Sequence, residues 1–502
     1  MIAVILAAGV GSRLQPITYD KPKCLTKIGG ISLLERQLKA FENNGFSEVF
    51  IVMGYRNDQI NRHYLRNKYK YIKLNFVENH DFEITNNMYS LYILKEFIKG
   101  KSFILCNGDI IFEEQILTQM INSKISDLIA VDEGTYSQES MKVEVKDTVV
   151  DISKELERDK TYGCSIDIYK ISVEGSYKLF DEIEQIIEKE KSVKEWTEVA
   201  LQRLIKKNLL PVYPLNIHGL KWMEIDNLED LQLADLKFSD LTINLEELVL
   251  FIDIDGTLFT GNEPIEGTKE FITFLETSDI PYYLLTNNSS YSKRSLSEKF
   301  EGMGIHISDS HIIQSTDGLL AHLKKNDIVN TFVLGTEAMK SVFEESSINP
   351  NSEIPQCVVL GYDTEITYNE IVKASKYLNQ GLPFYATHCD TSCPTPEGPV
   401  PDIGSFIKMF EVSLNRSPDQ IFGKPNKDMI DYKIIEHISE GKKQVVVIGD
   451  RLYTDMKMAR NVNGHFVCVL SGETDRKSIE EADDFPDLII HRASDLLGYW
   501  AK

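Results

Sequence analysis

Cysteine is scarce, with seven residues in a chain of 502, an odd number and widely scattered. That usage excludes a disulfide framework and reads as reduced thiols in a cytosolic protein. Only Cys389 and Cys393 lie close together, and no second Cys/His pair with zinc-site spacing accompanies them. Basic residues are also in short supply, 54 Lys and Arg against 77 Asp and Glu for a formal charge of −23. With no basic block to track a phosphate backbone, nucleic acid is excluded as a partner. No apolar run approaches the ~20 residues that span a bilayer, so no membrane association is expected. The opening MIAVILAAGVGSRL has no basic segment ahead of its apolar stretch and runs into glycine turns, so it is not read as a secretory leader. The expected compartment is the cytoplasm.

What is present is a soluble globular composition, 42% hydrophobic and 26% charged. Single cores stop growing near ~250–300 residues, so at least two domains are expected. Short β-type runs at Ile2–Leu6, Val49–Met53, Leu74–Val77, Phe103–Cys106 and Leu128–Val131 alternate with helical patterns near Leu33–Phe41, Tyr89–Phe97 and Glu114–Ile121. The alternation predicts an α/β domain on a largely parallel sheet. It continues through a strand at Gly163–Ile171, helices near Tyr177–Glu190 and Trp196–Lys207, and a strand at Trp222–Ile225. A connector near 236–248 holds neither Pro nor Gly, and LVLFIDIDGTL then starts a second βαβ alternation. The domains are expected at 1–240 and 246–502, without an internal repeat.

In ILAAGVGSRLQPITYDKPKCL a strand runs into Ala7, Ala8, Gly9, Gly11 and Ser12. Small residues let main-chain N–H groups close on a triphosphate and form an anion nest. Arg13 and Lys23 supply two cations for the same phosphates. Bound phosphates are commonly accompanied by a divalent cation held by one or two carboxylates. Asp109 after FILCNGD and Asp226 after KWMEID stand at strand ends, where ligands of α/β sheets sit. A quaternary ammonium ligand would want an aromatic box with an acid, which Tyr89, Tyr92, Tyr162, Trp196 and Glu198 could supply. A polyol or sugar phosphate would use Asn86, Asn87 and Glu198.

The first 240 residues resemble the nucleotidyltransferase family that activates sugar and alcohol phosphates, with its strand followed by LAAGxGxRxxPxTxxxPKxL. The resemblance implies a Rossmann-like, mixed-sheet domain whose nucleotide site comprises Leu6, Ala7, Ala8, Gly9, Gly11, Ser12, Arg13 and Lys23. It assigns Lys23 and Arg13 catalytic roles in charge neutralisation and Asp109 and Asp226 to Mg²⁺. NNMYSLYIL, NGD and WMEIDNLEDLQLAD look like the bacterial choline-phosphate cytidylyltransferase branch, which implies CTP as nucleotide. The acceptor phosphate would then attack the α-phosphorus with loss of pyrophosphate. Acceptor contacts are expected from Asn87, Tyr89, Trp196 and Glu198.

In the second half, LFIDIDGTL places Asp253 and Asp255 two residues apart after an apolar strand, so both can serve one site as nucleophile and proton shuttle. YYLLTNNSS, FGKPNKDM and VVVIGDRLYTDMKMA follow in order. This set is similar to the haloacid dehalogenase superfamily of phosphatases, in particular the p-nitrophenyl phosphatase and NagD-type enzymes. The resemblance implies a Rossmann-like core with Asp253 as nucleophile and Asp255 as general acid/base. It implies Thr286, Asn287 and Lys424 on the phosphate, and Mg²⁺ on Asp253, the main-chain carbonyl of Asp255, Asp450 and, in support, Asp455. The long interval between Thr286 and Lys424 is expected to hold an inserted α/β cap near 330–415. The segment ATHCDTSCPTPEGPVPDIGSF resembles the subfamily's segment that re-enters the core, with Gly404 and Ser405 recurring, but the family more often has Asn where this chain has His388. His388, Cys389 and Cys393 could form a metal site, although a loop lining the cap is the simpler account.

Together these motifs imply a bifunctional enzyme, Mg²⁺-dependent in both halves. One domain would transfer cytidylyl from CTP to a phosphorylated small alcohol or sugar, and the other would hydrolyse a phosphate monoester. Such CDP-alcohols serve surface polysaccharides in the family. A UTP-, dTTP- or GTP-dependent sugar-1-phosphate transferase, or one domain acting as a sensor or assembly module, are the alternatives, with homo-oligomerisation left open.

Overall fold

The computed structural model describes residues 1–239, 241–278, 280–393, 398 and 400–500. The chain divides into two compact units, Met1–Ser239 and Asp240–Lys502.

The first unit is built on a nine-stranded mixed sheet. Strands Phe103–Asn107, Ile2–Ala7, Glu48–Met53 and Lys73–Glu78 run parallel, in that order. Ile2–Ala7 is buried along its whole length, as a central parallel strand covered on both faces must be. Beyond Phe103–Asn107 the sheet turns antiparallel through Gly163–Ile171, which pairs Leu128–Glu133 on one stretch and Lys142–Val145 on another. Three strands escape the periodicity. Lys142–Val145 and Val149–Ser153 form a polar-rich hairpin, and Tyr213–Asn216 contains Pro214 on a sheet edge, where a missing N–H is tolerated. The helix expected over Tyr89–Phe97 is two helices, Asn87–Tyr92 and Lys95–Ile98, because the chain tightens at Leu94, whose N–H donates to Leu91 three residues back.

Two departures from regularity shape the first cavity. Gly163–Ile171 slips register between Ser165 and Tyr169, and Asp167 sits there at φ 58°. A bulge of this kind re-aims a side chain, and Asp tolerates the left-handed region better than most residues. The short strand Ile110–Phe112 pairs antiparallel with Trp222–Glu224, Ile110 opposite Glu224, tying the two distant acidic segments together.

The second unit has a six-stranded parallel sheet in the order Ile312–Gln314, Tyr282–Thr286, Leu248–Asp253, Gln444–Gly449, His465–Val469 and Leu488–Ile490. LVLFID is buried throughout and lies centrally, so Asp253, Thr286 and Asp450 emerge at neighbouring carboxyl ends. A separate parallel sheet, Thr331–Leu334, Cys357–Leu360, Phe384–Ala386 and Gln420–Ile421, forms the cap. Helix Ser315–Lys325 packs Leu319 and Leu323 with Val333, Val359 and Phe422 of that cap. The inserted body therefore begins near Ser315 and ends near Phe422, wider at both ends than the interval expected from sequence. Among the described residues no helix is long and apolar enough to cross a membrane.

Candidate functional sites

In the first unit, a cavity of about 350 Å³ opens at the carboxyl ends of the parallel strands. Leu6, Ala8, Gly9 and Arg13 line it, and a β-carbon built on Gly9 would meet no atom within 4 Å, so the loop presents bare backbone to the cavity. Ala7, Gly11 and Ser12 do not line it. Ala7 turns its methyl against Gly108, and Gly11, at φ +64°, bends the chain so that Ser12 enters a short 3₁₀ turn.

Lys23 donates to Asp109 Oδ2 and Asp226 Oδ1, both at 2.8 Å, while Arg13 pairs with Asp226 at 2.9 Å and Glu139 at 3.2 Å. Burial works against the charge on Lys23, but Asp109 and Asp226 outweigh it and raise its pKa. Burial likewise works against Asp226, yet Lys23 and Arg13 hold it below the ordinary carboxylate value. Glu224 completes a triad whose carboxylate oxygens lie within 4.8 Å of one another. Burial, then Asp109 and Asp226, pushes Glu224 up to about 7. Asp109 Oδ1 is buried without a hydrogen-bond donor among the described residues. An all-oxygen, acid-rich set with an orphaned buried oxygen fits a hard divalent cation.

Farther in, the cavity is walled by Asn86, Asn87, Lys154, Asp167, Trp196 and Glu198. Tyr169 donates to Glu198 at 2.7 Å and to Asp167 at 3.2 Å, and Asn107 donates to Asp167 at 2.9 Å. Burial raises both acids, Asp167 also through Glu198 and Glu224. Lys154 stands over the Trp196 ring at 4.8 Å. The aromatic box does not assemble. Tyr89 is not in the cavity wall, its ring lying 5.8 Å from Tyr92 and its hydroxyl donating to Asp81, and Tyr92 donates to Glu188. These tyrosines and Tyr162 pack on the hydrophobic core. Of the expected acceptor contacts, Asn87, Trp196 and Glu198 do reach the cavity, although the Asn87 side-chain oxygen already accepts from Thr197 N–H at 2.9 Å.

Glu224, Asp167 and Lys154 were not anticipated. Glu224 could have been found two residues before Asp226 on one extended segment, and Asp167 as the lone acid inside the apolar run GCSIDIYKI. Lys154 carries no comparable signal.

In the second unit, a cavity of about 480 Å³ gathers Asp253, Asp255, Thr286, Asn287, Lys424, Asp450 and Arg451 from the core with Tyr362, Asp390 and Asp402 from the cap. Lys424 is ion-paired to Asp253, and to Asp455 at 2.7 Å; burial opposes its charge, but these two acids raise its pKa. Thr257 donates to Asp253 Oδ2 at 3.2 Å. The carboxylate oxygens of Asp253, Asp450 and Asp455 lie within 4.8 Å of one another, and the Asp255 carboxyl is outside that group. Burial, then Asp253 and Asp455, pushes Asp450 up to about 8, while burial and Asp253 bring Asp255 to about 6. Asp450 Oδ1 is buried with no donor among the described residues, the same sign of fit to a hard cation seen at Asp109. Gly256 and Gly472 leave the room Asp450 occupies, since a β-carbon on either would fall 2.4 or 2.0 Å from its Oδ2.

Thr286 Oγ1 accepts from Asn288 N–H at 2.9 Å. The Asn287 side chain, expected on the phosphate, is committed elsewhere. Its oxygen accepts from Lys424 N–H at 2.8 Å and its amide donates to Asp390 and to the Lys424 carbonyl. Its main-chain carbonyl accepts from Ser315 Oγ at 2.9 Å. The Asn287 side chain thus fixes the main chain of Lys424. His388 bonds Asp402 at 3.0 Å and Thr387 at 3.2 Å, and the Cys389 thiol points to the Lys424 carbonyl, so no His388–Cys389 metal pair forms. The Cys393 side chain lies outside the described residues.

Comparison with known proteins follows this division. A nucleotidyl transferase family model matches residues 2–140. A haloacid dehalogenase-like hydrolase model matches residues 250–349, and a second hydrolase-like model of that superfamily matches residues 421–496. A 4-nitrophenylphosphatase of Thermotoga maritima is 34% identical over 51% of this chain and 98% of its own, with a TM-score of 0.48. An acid sugar phosphatase of Staphylococcus aureus (strain USA300) is 28% identical over 244 residues, 47% of this chain and 93% of the relative. A glycerol phosphate phosphatase of Mycobacterium tuberculosis, solved with magnesium, is 24% identical over 49% of this chain and 74% of its own, with a TM-score of 0.44.

Proposed function

Since the chain belongs to the haloacid dehalogenase-like hydrolases over its C-terminal half and carries a nucleotidyl transferase domain ahead of it, we propose that it is a CTP-dependent cytidylyltransferase joined to a phosphate monoesterase. The observation that carries the transferase reading is the Asp109, Glu224 and Asp226 triad, with Lys23 between two of its acids, at the mouth of a cavity floored by bare Gly9 backbone. CTP is favoured by NNMYSLYIL and WMEIDNLEDLQLAD, which supply Asn87 and Glu224 to that cavity.

Asp109, Glu224 and Asp226 in one site, and Asp253, Asp450 and Asp455 in the other, would hold Mg²⁺. When bound, Mg²⁺ withdraws charge from phosphate oxygens and so favours attack at phosphorus. In the transferase, Gly9 main chain seats the triphosphate, and Arg13 and Lys23 offset charge on the phosphates undergoing transfer. Lys154, which has Trp196 beneath it and acts electrostatically on Glu198 and Glu224, is a cation for the acceptor phosphate. In the phosphatase, Asp253 attacks the substrate phosphorus to form an aspartyl-phosphate while Asp255 protonates the leaving alcohol. Asp255, brought to about 6, can carry that proton near neutrality and afterwards take one from the attacking water. Lys424 and Thr286 hold the phosphoryl oxygens. The product would be a CDP-linked alcohol or sugar of the kind used for surface polysaccharides.

Incubating the protein with Mg²⁺, each nucleoside triphosphate and a panel of choline, polyol and sugar phosphates, with mass detection of products, tests the reading. A CDP-linked product is expected, and equal use of all four nucleotides would overturn the choice of CTP.

A further inference from the structure

The cap supplies two acids to the phosphatase cavity, and their surroundings separate their roles. Asp390 is engaged by Arg451 at 2.9 Å and by the Asn287 amide on both oxygens, so it is part of the frame. Asp402 is different. It is 6% exposed and lies in the cavity wall at the start of helix Ile403–Leu414. Its Oδ1 takes both protein hydrogen bonds, from Ile403 N–H at 2.6 Å and from His388 Nε2 at 3.0 Å. Its Oδ2 has no donor among the described residues.

The His388 ring is fixed in turn. At 1% exposure, its Nδ1 meets Thr387 Oγ1 at 3.2 Å, which leaves Nε2 to donate to Asp402. A carboxylate this buried is costly unless hydrogen-bonded, and two donors on one oxygen leave the other with accepting capacity toward the cavity. The same cavity wall holds Asn262, Asn288, Tyr291 and Tyr362, neutral hydrogen-bonding groups, together with Lys299 and Glu473.

We propose that Asp402, oriented by His388, is a specificity-determining residue that accepts hydrogen bonds from hydroxyl groups on the alcohol of the phosphatase substrate, which is therefore the phosphate monoester of a polyhydroxy compound. This rests on the phosphatase reading of the same cavity. Asp402 contacts the substrate but takes no part in phosphoryl transfer, and His388 is a positioning residue acting through it.

The test compares glycerol 3-phosphate, phosphoethanolamine and p-nitrophenyl phosphate as substrates of the full chain and of Asp402→Asn, Asp402→Ala, His388→Asn and His388→Gln. p-Nitrophenyl phosphate offers no hydroxyl, so its hydrolysis reports folding and chemistry alone. Asp402→Ala is expected to lower kcat/KM for glycerol 3-phosphate by about 10- to 100-fold, mainly through KM, while p-nitrophenyl phosphate stays within about threefold. His388→Asn, whose shorter amide falls short of Asp402, should raise KM for the polyol ester without changing kcat, and His388→Gln, whose amide reaches farther, should recover part of the loss. Equal loss on all three esters would show a structural role and overturn the assignment. So would no loss on any of them, or a selective loss of phosphoethanolamine. Absence of p-nitrophenyl phosphate hydrolysis in the unaltered chain would overturn the phosphatase reading, and this assignment with it.

Discussion

The main-chain N–H of Ile225 donates to the carbonyl of Asp109 at 2.9 Å. That bond continues the two-stranded ladder in which Glu224 faces Ile110, and it fixes three carboxylates from distant parts of the sequence around Lys23. Asp226 is held from its other side as well, its N–H donating to Asp230, which also caps helix Leu228–Lys237. The triad is therefore set by main-chain geometry before any ligand arrives.

Separate loss of the two activities follows. Asp109→Ala or Asp226→Ala should lower nucleotidyl transfer by at least about 100-fold, the scale of removing one charge-stabilising group, and leave phosphate release intact. Asp253→Asn should do the reverse. Pyrophosphate and inorganic phosphate assays on the same preparations check both. Loss of both activities in either variant would contradict two independent sites.

Lys154→Met removes the cation over Trp196 and keeps most of the side chain's bulk. The KM for the acceptor phosphate should rise by about 10- to 100-fold, as expected for losing a hydrogen bond to a charged group, while the KM for the nucleotide changes little. A matched rise in both would move Lys154 to the nucleotide.

Gly472→Ala places a methyl 2.0 Å from Asp450 Oδ2. Asp450 must then shift, so the Mg²⁺ concentration giving half-maximal phosphatase activity should increase at least about tenfold. Transferase activity in the same variant is expected to be unchanged.

Stability should depend on pH in a direction set by buried acids. Burial first, then neighbouring carboxylates, brings Asp450 to about 8, Glu224 to about 7 and Asp255 to about 6; Asp455, also raised by burial but opposed by Lys424, reaches about 6. Unfolded carboxyls titrate near ~4, so between about pH 4 and 8 the folded chain binds more protons than the unfolded one. The metal-free Tm should accordingly fall as pH rises across that window. Mg²⁺ prefers the ionised ligands, so it should raise Tm by several degrees at pH 8 and by less at pH 5.5, as calorimetry can check.

Much of this was legible in the residues. Strands buried on both faces, such as IAVILA and LVLFID, announce themselves as continuous apolar runs, and the acids that follow them fall at sheet ends because the parallel topology leaves them nowhere else. What escaped depends on register and rotamer. Asp167 reaches the cavity only because Gly163–Ile171 slips at Ser165, which no period-2 pattern records. Tyr89 turns away because the helix Asn87–Tyr92 lays its rings on the core, and both faces of a short helix look alike in sequence. Asn287 sits where a phosphate ligand is expected, but its amide is used up by Lys424 and Asp390.

Asn287 also joins the two points where the cap leaves and rejoins the core, through Ser315 on one side and Lys424 on the other. The cap is consequently tied to the core at a residue next to Thr286, and at Lys424. Asp402 belongs to the inserted body, whereas Lys424 stands beside Asp253 in the core. On the proposed roles, selectivity lies with the inserted body and the chemistry with the core, so either can change in sequence without disturbing the other.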